Sequence, residues 1–354
     1  MGGRAENGRW KKSRAGRKSR GEKGGRSKAS RVRSGDDALI GVGGKVGKRI
    51  AKRVQARHGR GKLEGWRKSI REDGRISQGI AGICTTARLK HRGIVNVPGG
   101  GSFFGKWMRK AFIAKEGYKI VGVDADSCQL RMLASCMGDD SYTQSILNGD
   151  KSIGTDIHSV NQGLAGLATR AQAKTFIYGF LFGAGDAKIG EIVGRGAKEG
   201  KAIKAEFLSK LPKLAALLDK LTKEWRKTAS HKPNDWGGLA YYNGVVTGVD
   251  GRPIAVSSEH QILVYLLQNQ EAVLMQHAMV LLYNKLASKG WTHGVEYGFV
   301  AVVHDEMNAE VRADCAEEYT AIAEESIAEA GRLLGFSCPH KGDGQIGGNW
   351  YDVH

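Results

Sequence analysis

The sequence predicts an α+β (mixed α/β) fold, with many helices and one small antiparallel sheet. Three observations predict it. Residues 119–123 form a β-branched run that is typical of a buried strand and that ends on an acidic residue. Residues 299–311 indicate a strand, a tight acidic turn and a second strand. Between and around these strands, apolar residues recur at helical spacing over most of the chain.

The remaining elements follow from apolar spacing and from turn residues. Before the first strand we predict a short basic helix over 38–60, a helix over 62–76 that ends at Gly74, and an irregular cationic connection over 85–112 that ends in a short helix. After it we predict helices over 128–138, 155–185, 196–229 with a break at Pro212, 261–288 and 316–334, and one hairpin within 237–256.

The charge of this 354-residue chain is concentrated at one end. It has 55 Lys and Arg against 36 Asp and Glu, and 20 of those cations, with four of the acids, lie in residues 1–60. The excess of positive charge predicts a polyanionic partner. Residues 1–34 are nearly devoid of apolar side chains and are expected to form a disordered basic arm. The alternative is a leader without a specific role.

Several classes of protein are disfavoured by composition. Five cysteines without a CxxC spacing argue against a disulfide framework and a zinc site, and favour a reducing compartment. The start of the chain lacks the apolar region of a secretory signal, and no run of 18 apolar residues is present. We therefore expect a soluble intracellular protein that is neither secreted nor membrane-bound.

Two aspartates stand where predicted strands end. Asp124 follows the first strand, and Asp305 lies in the turn between the last two strands. Brought together, they could hold two magnesium ions about 4 Å apart, the geometry of two-metal phosphoryl transfer. The alternative is that each is a turn or cap residue, which is the commoner role of aspartate at a strand end.

One predicted helix carries cations and aromatic side chains on the same face. Arg170, Lys174, Tyr178 and Phe182 are spaced by four residues, which a helix places on one side. Arg and Lys suit triphosphate oxygens, whereas Tyr and Phe suit a sugar and a base. His158 could add a further phosphate donor. An ordinary amphipathic helix with snorkelling cations is the alternative.

Four segments, in this order and spacing, resemble motifs A, B and C of the family A DNA polymerases, most closely the replicative enzymes of phages. They are DADSCQLRMLAS, DIHSVNQ, TRAQAKTFIYGFLFGAG and VHDE, at 124–135, 156–162, 169–185 and 303–306. The weaker matches TTARLKH, VDGRP, LLQNQEA and GGNWYDVH also fall in family order, so the resemblance covers about residues 60–354.

The resemblance implies a right-hand polymerase core, with a palm built on the small antiparallel sheet and with helical fingers. It divides the chain as follows: 1–34 the basic arm, 35–118 the basic helix and the entry to the palm, 119–151 palm with motif A, 152–235 fingers with motif B, and 236–354 palm with motif C and the C-terminus.

The resemblance also implies catalytic and metal-binding residues. Asp124 and Asp305 would bind two Mg²⁺ ions, with the backbone carbonyl of Ala125 as a further ligand. Glu306 would lie close by, near the primer terminus. Lys174 would protonate or neutralise the departing pyrophosphate.

Nucleotide and duplex contacts are implied in the same way. His158, Arg170 and Lys174 would grip the triphosphate, Tyr178 would pack against the deoxyribose, and Phe182 would stack beside the templating base. The positions that would touch the primer–template duplex are Arg88, Arg252, Gln268 and His304, where minor-groove acceptors can be checked without reading sequence.

The sequence departs from the family pattern at three positions. Gln129 stands where the family usually has Glu, Phe182 replaces the usual Tyr, and Ala87 replaces the Gly of a T-G-R motif. Gln129 keeps the volume that would exclude a ribose 2′-hydroxyl but lacks the charge for a strong link to the Tyr178 hydroxyl. From sequence we therefore expect Gln129→Glu to tighten sugar discrimination.

The family usually carries an exonuclease-type domain and a thumb before this region, and here about 60 mostly basic residues precede it. The expected function is a DNA polymerase core that uses primer–template DNA and dNTPs in the cytoplasm of a phage-infected cell. We expect a separate chain to supply the thumb and the 3′–5′ exonuclease; otherwise the basic arm grips the duplex through phosphate contacts, or the chain is a remnant. The alternatives are an inactive nucleic-acid-binding subunit of polymerase shape and a single-subunit RNA polymerase.

Overall fold

The computed structural model of the protein describes residues 44–94, 96–102, 104–234 and 237–353. The expected basic arm, residues 1–34, lies outside them. The helices are α1 (Gly44–Lys68), α2 (Gly105–Lys110), α3 (Cys128–Met137), α4 (Asp140–Leu147), α5 (Ile157–Leu164), α6 (Arg170–Leu181), α7 (Asp186–Glu191), α8 (Ala197–Lys210), α9 (Pro212–Thr228), α10 (Ile262–Ser288) and α11 (Ala316–Leu333). The strands are β1 (Gly79–Ile83), β2 (Leu89–Arg92), β3 (Tyr118–Ala125), β4 (Ser230–Pro233), β5 (Leu239–Tyr242), β6 (Gly244–Thr247), β7 (Pro253–Val256), β8 (Tyr297–Val303), β9 (Glu306–Arg312) and β10 (Gly342–Gly347).

A four-stranded antiparallel sheet lies at the centre of residues 62–354, with the strand order β10-β3-β9-β8. Alternate residues of β3 face opposite sides of the sheet, and Val121 and Val123 are fully buried in the main core. Ile120 faces the other side, where it packs in a small cluster with Trp350 and Val353. Both faces of β3 are therefore covered, which explains its β-branched sequence.

Helix α11 lies against β10 and β3, and α10 lies against α11 and α3. The approach of α11 to β10 requires a glycine, because a Cβ atom added to Gly344 would stand 2.2 Å from Cγ2 of Thr320. The central helix α10 is apolar on nearly all sides, which is typical of a helix enclosed by other elements.

Helices dominate the chain from α5 to α9. Phe207 of α8 is fully buried, and its ring contacts Phe176 and Phe180 of α6 edge-on, with centroids 5.0 and 5.4 Å away. On α9, Trp225 is fully buried and donates from Nε1 to the Val256 carbonyl at 3.0 Å. The ring contacts join α6 to α8, the hydrogen bond joins α9 to β7, and the buried residues of all four elements belong to the main core.

The predicted mixed fold with a small antiparallel sheet is confirmed, and three two-stranded hairpins accompany that sheet. Strands β3, β8 and β9 and helices α3, α10 and α11 lie within one or two residues of their predicted bounds. The predicted break at Pro212 is also confirmed, since α8 ends at Lys210 and Pro212 is the first residue of α9.

Three helix predictions were wrong. The two helices predicted over 38–60 and 62–76 form one helix, α1, that already ends at Lys68; residues 38–43 lie outside the described residues. No proline separates the two halves, so a helix can continue through its glycines at a modest cost. The single helix predicted over 155–185 is two helices, α5 and α6, because Gly166 adopts a positive φ of 61° and Thr169 begins α6 with a capping box.

Two strand predictions were incomplete. The single hairpin predicted within 237–256 is two hairpins, β4–β5 and β6–β7, which meet at Asn243 with a φ of 55°. Within 85–112 the irregular connection contains β2, which pairs with β1. Strand β10 was not anticipated, because its sequence GDGQIG has one β-branched residue and three glycines.

Within the described ranges, none of the helices combines the length and the apolar character that crossing a bilayer requires.

The aromatic contacts of Phe207 allow a test of the packing between α6 and α8. Phe207→Ala leaves a cavity beside two other rings, and we expect it to lower the free energy of unfolding by about 3 to 5 kcal/mol. Denaturant titration followed by circular dichroism measures the change. Lys198→Ala, at an exposed position of the same helix, is the control and should change stability by less than about 0.5 kcal/mol. Equal stability of the two variants would contradict the packing.

Candidate active site

Backbone pairing brings the two predicted metal-binding aspartates to the same end of the central sheet. Asp124 is the penultimate residue of β3 and stands directly opposite Glu306 of β9. Asp305 lies in the tight turn between β8 and β9, and its carbonyl oxygen accepts a 2.9 Å hydrogen bond from the Ala125 backbone N–H. His304 makes the turn possible by adopting a positive φ of 58°. The predicted pairing of Asp124 and Asp305 is thus realised by one backbone hydrogen bond.

A further acidic residue, Asp343, lies beside Asp124 on β10, the strand that pairs with the other edge of β3. The two residues are directly opposed in the β10–β3 ladder, so their Cβ atoms are about 5 Å apart on one face of the sheet. Asp343, Asp124 and Glu306 therefore form an acidic row across three strands. Asp343 was missed from the sequence because its strand was not predicted.

The surroundings of Asp305 disfavour its negative charge. Burial raises the pKa of the Asp305 carboxyl, and the neighbouring Glu306 acts in the same direction, whereas Arg88 and His304 oppose the shift. Burial also lowers the pKa of His304, assisted by Arg88. A bound cation would therefore stabilise the ionised form of Asp305.

Glu306 is buried at the start of β9, with 3% of its surface exposed. Its Oε1 accepts hydrogen bonds from Nδ2 of Asn308 at 2.9 Å and from Nε1 of Trp350 at 3.2 Å. The guanidinium of Arg109 lies 4.7 Å from the centre of the Trp350 ring. Glu306 is therefore held firmly by neighbours on the face of the sheet that carries Asp124.

On α6, Arg170 already forms an ion pair with a carboxylate that was not predicted from the sequence. Asp156 begins α5, and Arg170 begins α6; Nε of Arg170 donates to both carboxylate oxygens, at 3.2 and 3.0 Å, and Nη2 donates to Oδ2 at 2.6 Å. The Arg170 hydrogen bond holds the pKa of the Asp156 carboxyl well below its usual range. Asp156 lies two residues before His158, within the motif B match, which was the only signal for it.

His158 and Tyr178 face each other between α5 and α6, with ring centroids 6.1 Å apart. His158 is 9% exposed, and its Nδ1 has no hydrogen-bond partner among the described residues. Burial lowers the pKa of His158, and the charges of Arg170 and Lys174 lower it further. The imidazole is therefore neutral at physiological pH.

Tyr178 connects this helix face to the acidic end of the sheet. Burial raises the pKa of its phenol, and the charges of Asp305, Asp126 and Asp124 raise it further. The charges at the acidic end of the sheet therefore reach the phenol of α6. Lys174 is exposed on the same helix, and Phe182 follows its last turn with 49% of its surface exposed.

Gln129 lies on α3, near the aspartates, and contacts a second unanticipated carboxylate. Its Nε2 donates to Oε2 of Glu271 on α10 at 2.8 Å, and Nη2 of Arg88 donates to Oε1 of the same residue at 2.5 Å. The sequence signal was available, because Glu271 is the only acidic residue in the 27 residues of α10. Arg88 and Gln129 were predicted; their common partner was not.

The other two residues predicted to contact the duplex are Arg252, in the β6–β7 turn, and Gln268, on α10. The turn packs against the helix. Arg252 stands in the β6–β7 turn, where its Nε is ion-paired with Asp250 at 2.5 Å. The turn is attached to α10 by the backbone N–H of Val249, which donates to Oδ1 of Asn269 at 3.2 Å. Gln268 is half-buried and precedes Asn269. The described contacts do not link Arg252 or Gln268 to the aspartates.

The chain is similar to known polymerases in sequence. The pattern that defines DNA polymerase family A matches residues 56–352. A DNA-directed DNA polymerase of Enterobacteria phage T3 is 33% identical over 306 residues, which are 82% of this chain and 42% of that protein. A DNA-directed DNA polymerase of Escherichia phage T7 is 34% identical over 309 residues, again 82% of this chain and 42% of that protein. The chain thus spans less than half the length of these two relatives.

The fold is similar to that of a solved structure, the POL domain of Pol1 from M. smegmatis in complex with DNA primer-template and dNTP. The superposition has a TM-score of 0.71 and 19% sequence identity, and it covers 90% of this chain and 55% of that one. Since the family pattern matches most of the chain and the fold agrees with it, the chain belongs to DNA polymerase family A.

Proposed function

We propose that the chain is the core of a template-directed DNA polymerase that adds dNTPs to a primer 3′ end by two-metal phosphoryl transfer. The observation that carries the proposal is the hydrogen bond from the Ala125 N–H to the Asp305 carbonyl, which puts Asp124 and Asp305 at one sheet end. Tyr178 connects this end to the cationic face of α6. The proposal thus sets acids for metal ions next to cations for a triphosphate.

The residues at this end fit magnesium. Carboxylate and carbonyl oxygens are the hard ligands that Mg²⁺ prefers, and burial disfavours the charge of Asp305 in the absence of a cation. The described residues include no cluster of three or more His, Cys, Asp or Glu suited to enclose a metal ion. Mg²⁺ usually keeps several waters and substrate oxygens, so Asp124, Asp305 and the Ala125 carbonyl suffice as its protein ligands.

Bound there, two Mg²⁺ ions would neutralise charge on the attacking and the leaving oxygens of the transfer. Asp124 and Asp305 would hold the ions, and Glu306, which follows Asp305 and stands opposite Asp124, is fixed by its contacts with Trp350 and Asn308. Lys174, exposed on α6, donates to the departing pyrophosphate.

The nucleotide would lie along α6. Arg170 would meet a phosphate through Nη1, because Asp156 occupies its Nε and Nη2. His158 would contribute a neutral N–H donor, since burial and nearby cations lower its pKa. Tyr178 would pack against the sugar, with its phenol protonated.

The template and the duplex would lie at the two ends of this site. Phe182 presents an exposed ring on which a templating base could stack. Arg88 and His304 lie beside Asp305, and both influence its charge, so they would meet the primer terminus. Arg252 and Gln268 would contact the duplex further along α10.

The domain assignment belongs to the same proposal. We assign residues 119–151 and 236–354 to the palm and residues 152–235 to the fingers. The supporting observation is that β3, β8, β9 and β10 share one sheet, whereas the segment from α5 to α9 is almost entirely helical and α6 and α8 are joined by ring contacts. A separate chain that supplies a thumb and an exonuclease stays a prediction, which co-purification from the native source would test.

Primer extension with purified protein, Mg²⁺, a primed template and either dNTPs or rNTPs tests the proposal. We expect template-dependent extension with dNTPs that stops when a chelator removes Mg²⁺. Extension with rNTPs alone would favour an RNA polymerase. Duplex binding without extension would favour an inactive subunit.

Asp124→Asn and Asp305→Asn remove the charges that hold the ions but keep the side-chain volume. We expect each variant to lower the extension rate at least about a thousandfold, equivalent to ~4 kcal/mol at ~1.4 kcal/mol per tenfold. Single-turnover kinetics measure the loss. Asp219→Asn, in an exposed ion pair on α9, is the control and should be as active as wild type. Activity within about tenfold of wild type in either active-site variant would refute the metal assignment.

Tyr178→Phe tests whether the face of α6 meets the sugar. The protonated phenol can supply a hydrogen bond where a dideoxynucleotide lacks its 3′-hydroxyl, and only this hydroxyl differs between the two proteins. We expect unchanged dNTP incorporation and a loss of dideoxynucleotide incorporation worth ~3 to 5 kcal/mol. Competition between dideoxynucleotides and dNTPs measures it. The control Tyr283→Phe, at an exposed position of α10, should incorporate dideoxynucleotides as wild type does. If Tyr178→Phe also incorporates them at the wild-type level, the sugar contact is excluded.

Deletion of residues 1–34 tests the role of the basic segment, which contains 13 Lys and Arg and two acidic residues. Cations that neutralise phosphates release counterions, so the slope of log affinity against log salt should become shallower by about 0.9 for each lost contact with duplex DNA. Fluorescence anisotropy with a primed template measures the slope, and the KM for dNTP should stay unchanged. A variant that replaces these cations with Ser at constant length separates charge from length. An unchanged slope would show that the segment does not contact DNA.

A further inference from the structure

Glu271 is a buried charge for which the proposed mechanism gives no role. It stands in the middle of the apolar helix α10, with 1% of its surface exposed. Removing a carboxylate from water costs several kcal/mol unless hydrogen bonds and an opposite charge compensate it. A charge at this position therefore requires dedicated partners, and any change to those partners affects it directly.

The partners of Glu271 come from two separate parts of the chain. Arg88 ends the turn between β1 and β2 and donates to Oε1; Gln129, the second residue of α3, donates to Oε2. Each carboxylate oxygen thus holds a different side chain. Gln129 is the residue expected on the sugar side of the site, and Arg88 is the residue expected on the primer side. One carboxylate joins the two sides.

The contact also fixes the orientation of the Gln129 amide. An ionised carboxylate only accepts hydrogen bonds, so the amide must turn Nε2 toward Glu271. Its oxygen Oε1 then points away from Glu271 and is available as an acceptor. Without Glu271 the two ends of the amide would be equivalent, and the position of the acceptor would be lost.

The two partners oppose the effect of burial on the charge of Glu271. Burial raises its pKa and the charge of Asp305 acts in the same direction, whereas the charge of Arg88 and the hydrogen bonds from Gln129 and Arg88 lower it, and the net shift is upward. The side chain of Arg88 is 15% exposed, and its Nε has no hydrogen-bond partner among the described residues. Glu271 is therefore the ion-pair and hydrogen-bond partner of Arg88 among the described contacts, as Arg88 is the ion-pair partner of Glu271.

We propose that Glu271 is a positioning residue for sugar selection: it orients the Gln129 amide toward the sugar of the incoming nucleotide and holds Arg88 beside the primer terminus. The negative charge near the sugar pocket is thus supplied from α10 and not from position 129. This inference rests on the proposed polymerase function.

The contact reverses the expectation for Gln129→Glu that the sequence alone suggested. A glutamate at 129 would face Glu271 at hydrogen-bond distance in a buried site, and two like charges there cannot both stay ionised. The single substitution should therefore be harmful. Exchanging the two residues, Gln129→Glu with Glu271→Gln, restores one carboxylate, one amide and the charge balance with Arg88.

The test compares wild type, both single variants and the exchange in primer extension with dNTPs and rNTPs separately. We expect Glu271→Gln to lower the ratio of kcat/KM for dNTP to that for rNTP by about fivefold, because a neutral hydrogen bond orients Gln129 less firmly. Gln129→Glu should lower kcat/KM for dNTP by about tenfold or more. The exchange should return both quantities to within about threefold of wild type.

Glu310→Gln is the matched control, because Glu310 is also a buried glutamate of the palm and accepts hydrogen bonds from Nη2 of Arg75 at 2.6 Å and from the Lys115 N–H at 2.8 Å. It should lower the melting temperature without changing the dNTP to rNTP ratio. Melting temperatures of all variants, measured without DNA or nucleotide, report the Gln129–Glu271 coupling independently of catalysis.

The outcomes separate the inference from the proposed function. A wild-type protein that extends no primer would refute the proposed function. A wild-type protein that extends primers, with an exchange no better than the worse single variant, would overturn the inference alone. The inference would also be overturned if Glu271→Gln lowers the melting temperature as Glu310→Gln does but leaves the ratio of kcat/KM for dNTP to that for rNTP unchanged. Glu271 would then be only a structural carboxylate.

Discussion

The pairing of β3 with β9 is the constraint on which the rest of the structure depends. It sets Asp124 opposite Glu306 and joins Ala125 to Asp305 through the backbone. Gathering acids at one sheet end is unfavourable in itself, because like charges repel at short range. The register holds because it is decided elsewhere along the strands, where Val121 packs in the main core and Ile120 packs under Trp350. A slip by one residue would exchange these faces and expose both sets of side chains.

The acids near this end are stabilised by different kinds of partner. Glu306 receives neutral N–H donors from Asn308 and Trp350, and Glu271 receives a guanidinium and an amide. For Asp305 the compensation comes from its own backbone N–H and from the charges of Arg88 and His304. It does not cancel the effect of burial, so the pKa of Asp305 remains raised. A cation supplied from outside the protein would therefore stabilise the ionised form of Asp305.

Local sequence predicted the elements whose signals are local. The strands β3, β8 and β9 have β-branched runs, and α10 and α11 have long periodic patterns. Strand β10 has no such signal: it is a strand because β3 offers it an unpaired edge. The break between α5 and α6 did have a signal, the Thr169-x-x-Gln172 capping box, which the apolar periodicity on both sides concealed.

The site was predictable to the same extent. Asp124, Asp305 and the face of α6 follow from strand ends and from spacing within one helix. Asp156, Glu271 and Asp343 act through partners 14, 142 and about 220 residues away, and only the folded chain brings them into contact.

The distribution of charge explains why the site needs cations of its own. Residues 1–60 carry a net charge of +16, whereas residues 61–354 carry only +3. Salt screens charges beyond about 10 Å at 0.1 M, so the basic segment can neutralise only the phosphates that it reaches. Under the proposed function, a triphosphate beside Asp124 and Asp305 would have to be balanced by groups within a few ångströms. On α6, Lys174 is exposed and Arg170 is already engaged by Asp156, so this helix face offers little uncompensated positive charge. In the proposed mechanism the remaining positive charge would come from metal ions held by the same carboxylates that would repel the triphosphate. The proposal therefore needs the acidic row and the cationic helix face together, because neither alone would balance the charge of a bound triphosphate.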